Sequence, residues 1–129
     1  MVKVKDVMIK EVITIDEEES VAKACEIMGE KHIGSLIVVS QSKPIGIFTE
    51  RDLLSKIILK RLDLDKIKIK DYMSTPLTVI NSEFDLKEAA RIMSQLKIRR
   101  LPVVEGEKLI GILTSADIVR ALAKTPLEF

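Results

Sequence analysis

The 129 residues carry 21 Lys and Arg against 20 Asp and Glu, a formal charge of +1, so no long-range field draws the chain to nucleic acid or to an acidic membrane surface. One cysteine, Cys25, excludes an internal disulfide, and with one histidine, His32, the usual structural zinc sets are out of reach of a single chain. A hydrophobic share of 47% suffices for a packed core, and the apolar runs are strand-sized.

The first residues alternate Val with Lys rather than forming a signal peptide, and the expectation is a soluble cytoplasmic protein with no metal and no cofactor. Charged residues at 32%, with Asn used once and Gln twice, point to a thermophilic source. Residues 12–15 read as a first strand. Ser20 is a good N-cap, and Val21, Ala24, Cys25 and Met28 follow at helical spacing on one apolar face. His32 falls at the end of that helix, where it caps, and Cys25 on the stripe is an inert small hydrophobe. Residues 36–39 and 45–48 form a hairpin around 40–44, and a second helix follows.

The segment 55–70 joins this half to a second one, in which the same series returns 65 residues later. Residues 77–80 mirror the first strand. Asp85 opens the matching helix, with Glu88 in a capping-box arrangement and Leu86, Ala89, Ala90 and Met93 as the apolar stripe. Residues 101–104 and 109–113 flank a turn at Gly106. The chain therefore reads as a single module, 1–129, made of two β-α-β-β-α repeats, 1–60 and 66–125. Met8, Met28, Met73 and Met93 recur at apolar positions and belong to the core, while Tyr72 packs at the repeat junction.

The segment Gly46-Ile47-Phe48-Thr49-Glu50-Arg51-Asp52 returns as Gly111-Ile112-Leu113-Thr114-Ser115-Ala116-Asp117, each at a strand-to-helix junction. A helix N-terminus presents unpaired N–H groups and suits a phosphate. Thr and Asp three apart converge on one face, where the carboxylate can accept both hydroxyls of a ribose. The same spacing is also a capping box and can be selected for that alone. Gly three residues before the Thr in both copies permits close backbone approach.

With these features the chain resembles a tandem pair of CBS domains, the cystathionine β-synthase repeat, also called a Bateman module. The match lies in Asp-Val-Met at 6–8 and Asp-Tyr-Met at 71–73, Ile27-Met28 and Ile92-Met93, Leu101-Pro102-Val103-Val104, and both Gly-x-x-Thr-x-x-Asp segments. The resemblance implies an α/β fold whose two repeats pack through their sheets with pseudo-twofold symmetry, adenosyl ligands (AMP, ADP, ATP, S-adenosylmethionine or NAD) in the clefts between them, and a homodimer. It assigns Asp52 and Asp117 to ribose and Thr49 and Thr114 to the ribose-phosphate part. Ile13 and Thr14 in one half, and Leu77 and Thr78 in the other, would line the adenine. Arg99 and Arg100 would meet phosphates in the second repeat, where the first has Gly34 and Ser35, and Arg51 is the alternative basic group of the first.

No Walker-type loop, Gly-x-Gly-x-x-Gly or Gly-x-Ser-x-Gly elbow anchors a catalytic reading. The expected function is a non-enzymatic regulatory module that senses an adenosine-containing ligand, AMP, ADP or ATP foremost, and signals to an unidentified regulated protein. The rival is a ligand-free dimerisation or scaffold module whose Thr-x-x-Asp segments only cap helices. Nucleic-acid binding through the basic residues of 56–70 is disfavoured by the interleaved acids and the balanced charge.

Overall fold

The computed structural model describes residues 1–124. The chain divides into two compact units: a contiguous one, Ile13–Leu77, and a discontinuous one that joins Met1–Val12 to the chain from Thr78 onward. Each holds one three-stranded mixed sheet with helices, an α/β arrangement.

In the contiguous unit β1 (Thr14–Asp16) runs parallel to β2 (Ser35–Ser40), and β2 pairs antiparallel with β3 (Lys43–Thr49). A helix between β1 and β2, numbered α2 here (Val21–Lys31) after the short α1 (Val4–Val7), makes the parallel crossover. Strand alternation sends Ile15, Leu36, Val38 and Phe48 to one face, where they meet Val21, Ala24 and Met28 of α2 together with Ile57 and Ile69. Each of these side chains other than that of Ala24 is worth about 1.5–3 kcal/mol on full burial. Ser20 caps α2 by accepting the Lys23 N–H at 3.0 Å. His32 is the C-cap, in the left-handed region at φ 54°. Tyr72 is half-buried against this cluster.

The discontinuous unit repeats the plan with β4 (Ile80–Asn81), α4 (Leu86–Leu96), β5 (Arg100–Glu105), β6 (Lys108–Thr114) and α5 (Ser115–Lys124). Its core gathers Ile80, Leu101, Val103 and Leu113 from the sheet with Leu86, Ala89, Met93, Ile118 and Val4. The pairing register of β5 with β6, including the irregularity between Val103 and Val104, reproduces that of β2 with β3 65 residues earlier.

The segments leading into the two repeats are exchanged between the units. Residues 67–70 complete the contiguous unit: Ile67 and Glu19 carbonyls accept the N–H groups of Val21 and Ile69, at 3.0 and 2.9 Å. Residues 2–5 do the same in the discontinuous unit, where Val2 and Phe84 carbonyls accept from Leu86 and Val4, both at 2.9 Å. Both seams carry the same clamp of two lysines on one glutamate. Lys68 and Lys70 reach Glu18 at 2.8 and 2.9 Å, and Lys3 and Lys5 reach Glu83 at 2.8 and 2.7 Å. Hydrogen bonds from Lys3 and then Lys5 hold the Glu83 carboxyl down from 4.5 to about 2.

Several expected elements are redrawn. The first strands start later and are shorter than 12–15 and 77–80, because pairing begins only where Thr14 and Ile80 reach β2 and β5. Asp85 occupies the N-cap of α4 but makes no side-chain cap bond, and Glu88 pairs with Arg91 at 2.7 Å instead of closing a capping box. The Val2 carbonyl already takes the Leu86 N–H at that end. The second helix of the first repeat is a three-residue α3 (Glu50–Asp52) that widens into a π-helical stretch, Leu53–Ile58. There the Ser55 hydroxyl bonds to the Arg51 carbonyl at 2.7 Å, competing with the regular ladder.

Candidate functional site

The two Thr-x-x-Asp junctions are built alike. The end of β3 lies opposite the start of β2, pairing Thr49 with Ser35, and the Glu50 N–H bonds to the Gly34 carbonyl at 3.0 Å. In the other unit Arg100 pairs with Thr114, and the Ser115 N–H bonds to the Arg99 carbonyl at 2.9 Å. Arg99, Arg100, Thr114 and Asp117 are thus brought to one strand-to-helix junction. Arg99 is exposed and Arg100 half-buried.

Both aspartates are buried, Asp52 at 4% and Asp117 at 5% exposure, and a buried carboxylate must be hydrogen-bonded. Each closes the local turn. Asp52 Oδ2 accepts the Thr49 N–H at 2.9 Å while Thr49 Oγ1 accepts the Asp52 N–H at 3.2 Å. Thr114 and Asp117 repeat the pair at 2.9 and 3.2 Å. The capping-box geometry is therefore present in both copies.

The outer oxygens differ. Asp52 Oδ1 accepts from the Ser74 hydroxyl at 2.8 Å and the Lys56 ammonium at 2.9 Å, whereas Asp117 Oδ1 accepts from Arg120 at 2.6 Å. Sequence reasoning did not find Lys56, Ser74 or Arg120. Lys56 and Arg120 could have been found as acid-to-base pairs at i,i+4 and i,i+3. Ser74 could not, because the matching position 65 residues earlier is Ile9.

The glycines before the threonines owe their small size to the fold. A Cβ on Gly46 would stand 2.8 Å from the Met73 sulfur and 3.0 Å from the Ser74 carbonyl, and on Gly111 2.7 Å from the Met8 sulfur and 2.9 Å from the Ile9 carbonyl. The close backbone approach expected there is that of the exchanged lead-in segments.

Thr14 pairs with Ile37, two residues along β2 from Ser35, so it shares a sheet face with Thr49. Ile13 is half-buried and Arg51 exposed. Leu77 ends the contiguous unit and Thr78 begins the other part of the discontinuous one. Since Ile80 pairs with Val103 as Ile15 does with Val38, Thr78 and Val79 hold the places of Ile13 and Thr14. Among the described residues no group of three or more His, Cys, Asp or Glu could hold a metal ion, and no helix is long and apolar enough to cross a membrane. Burial raises the Cys25 thiol above its ordinary value, which keeps it protonated and inert.

The CBS domain family model matches residues 4–59 and again 69–124. An uncharacterized protein of Methanopyrus kandleri is 37% identical over 92% of this chain and 62% of its own length. Another, of Methanocaldococcus jannaschii, is 35% identical over 94% of this chain. The chain thus spans 62% and 32% of these two curated relatives. Among solved structures, a hexameric CBS-CP12 protein from bloom-forming cyanobacteria superposes with a TM-score of 0.87 at 33% identity, covering 98% of this chain and 77% of that one.

Proposed function

Because the chain belongs to the CBS-domain family as a tandem pair, and such pairs are generally regulatory and bind adenosine-containing ligands, we propose that it senses an adenine nucleotide and signals its presence to a partner protein. AMP, ADP and ATP are the foremost ligands, with S-adenosylmethionine and NAD in the same chemical class. The observation that carries this reading is the Thr114–Asp117 junction. A hydroxyl and a buried carboxylate lie at the start of a ten-residue helix, with the backbone of Arg99 and Arg100 beside them, which supports recognition of a ribose phosphate.

The proposed unit is a homodimer in the cytoplasm. Exposed Leu54 and Leu59 after the first motif and Val119 after the second, at 61%, 78% and 65%, support self-association.

The rival scaffold reading has an observation of its own. Both motifs are closed capping boxes, and among the described residues no buried side-chain N or O lacks a hydrogen-bond partner. Isothermal titration of the nucleotide-stripped full chain with AMP, ADP, ATP, S-adenosylmethionine and NAD separates the two. The comparison variants are Asp52→Asn and Asp117→Asn, since asparagine can still accept the threonine N–H. Micromolar binding of one ligand, lost in a folded variant, establishes the sensor. Absence of heat with every ligand favours the scaffold.

A further inference from the structure

The two motif carboxylates are held by partners of different kinds, and the difference bears on which of them can be given up to a ligand. Asp52 Oδ1 sits in a fastened network: Ser74 at 2.8 Å and Lys56 at 2.9 Å, with Lys56 also donating to the Tyr72 carbonyl at 2.9 Å and lying 3.4 Å from Ser74 Oγ. Freeing Asp52 Oδ1 breaks two bonds at once, from the half-buried Ser74 hydroxyl and from an ammonium that the Tyr72 carbonyl also holds in place. Asp117 Oδ1 is held by Arg120, whose side chain is 65% exposed against 5% for the aspartate. A guanidinium so placed re-solvates in water when it lets go, so releasing it costs little. The hydroxyl that Ser74 supplies in one unit has no equivalent in the other, where Ile9 stands in its place.

Resting on the nucleotide reading above, we infer that Arg120 is a displaceable counter-ion that reserves Asp117 for the ribose hydroxyls of the ligand. Lys56 and Ser74 withdraw Asp52 from the same role. The chain then takes a single nucleotide, on the Thr114–Asp117 motif, and Arg120 sets its affinity by competing for Oδ1. Arg120 is thus a positioning residue that yields to the ligand, distinct from Arg99 and Arg100 at the start of β5.

The test is calorimetric titration of AMP into the full chain, its Arg120→Ala variant and its Asp117→Asn variant, each checked for folding by its thermal melt. The expected result is one AMP per chain, no binding in Asp117→Asn, and binding about fivefold tighter in Arg120→Ala, the factor given by losing a weak competing ion pair. Unchanged or weaker AMP binding in Arg120→Ala, or two AMP per chain in the unaltered protein, overturns the inference and leaves the nucleotide reading standing. No heat in any of the three proteins overturns both. Should Asp117→Asn fail to fold, the affinity of Arg120→Ala still decides, because Asp117 keeps both of its bonds with Thr114 in that variant.

Discussion

The Met8 sulfur lies so close to Gly111 that a Cβ on residue 111 would stand 2.7 Å from it, and Met73 approaches Gly46 in the same way at 2.8 Å. Each methionine arrives on a lead-in segment tied to the neighbouring strand by paired backbone bonds, 2.9 Å in both directions between Ile9 and Ile112. Gly111→Ala should therefore cost about 1–3 kcal/mol, the usual range for overpacking, read from denaturant unfolding. Adding Met8→Ala should recover only part of the loss, since the Ile9 carbonyl at 2.9 Å remains in the way. A fully tolerated alanine at 111 would show that the lead-in segment does not seat there.

The lysine clamps predict a pH effect. Glu83 is held down to about 2 from 4.5 by Lys3 and then Lys5, so its folded-state pKa is depressed. Its stabilisation is present above about 4.5 and is lost as pH falls through about 2. Acid should loosen the seam across that window. Amide exchange at Val4 and Lys5, which donate to Phe84 and Ser82, reads it directly. Glu83→Gln should flatten the pH dependence there, and an identical acid profile in the variant would remove the clamp from the account.

The β2–β3 turn consists of Gln41 and Ser42, both at positive φ, 50° and 68°. Such primed turns match strand twist but suit Asn-Gly. Gln41→Asn with Ser42→Gly should stabilise the chain by about 1 kcal/mol, since left-handed backbone costs an ordinary residue about 1–2 kcal/mol. A higher melting temperature is the expected reading, and a lower one would contradict the turn geometry.

Two helix starts that look equally well capped in sequence should respond differently. Ser20→Ala removes a real cap bond to the Lys23 N–H and should cost about 1 kcal/mol. Asp85→Ala removes no side-chain cap bond and should fall within about 0.5 kcal/mol of the parent. Equal losses at both sites would restore the cap at Asp85.

Much of this architecture was legible in the chain because its signals are local and periodic. The α2 and α4 stripes, the hairpins and the Thr-x-x-Asp junctions all follow from spacing, and repetition 65 residues apart reinforces them. What stayed hidden depends on contacts between distant residues. Gly46 and Gly111 look like ligand glycines until Met73 and Met8 are placed against them. Asp85 looks like a cap as good as Ser20, yet its side chain makes no cap bond, although Val2 and Ile67 close the two helix starts alike. The π-helical stretch Leu53–Ile58 is instead local, accompanied by the Ser55 hydroxyl bonding to the Arg51 carbonyl, and composition does not announce it. The partners of the motif carboxylates were missed because Ser74 comes from another part of the chain and the repeat does not preserve it.

The exchange of lead-in segments also sets an order of events during synthesis. Residues 2–9 are made before their seats, around Ser82 to Leu86 and at Ile112, which follow roughly 80–100 residues later. Long loop closure of that kind is slow compared with local pairing. The stretch 13–77 is one compact unit of contiguous chain, so its own contacts can form once residue 77 has been made. The chain is therefore expected to assemble from the middle outward, with Val2, Val4 and Met8 exposed to solvent until the second hairpin exists to receive them.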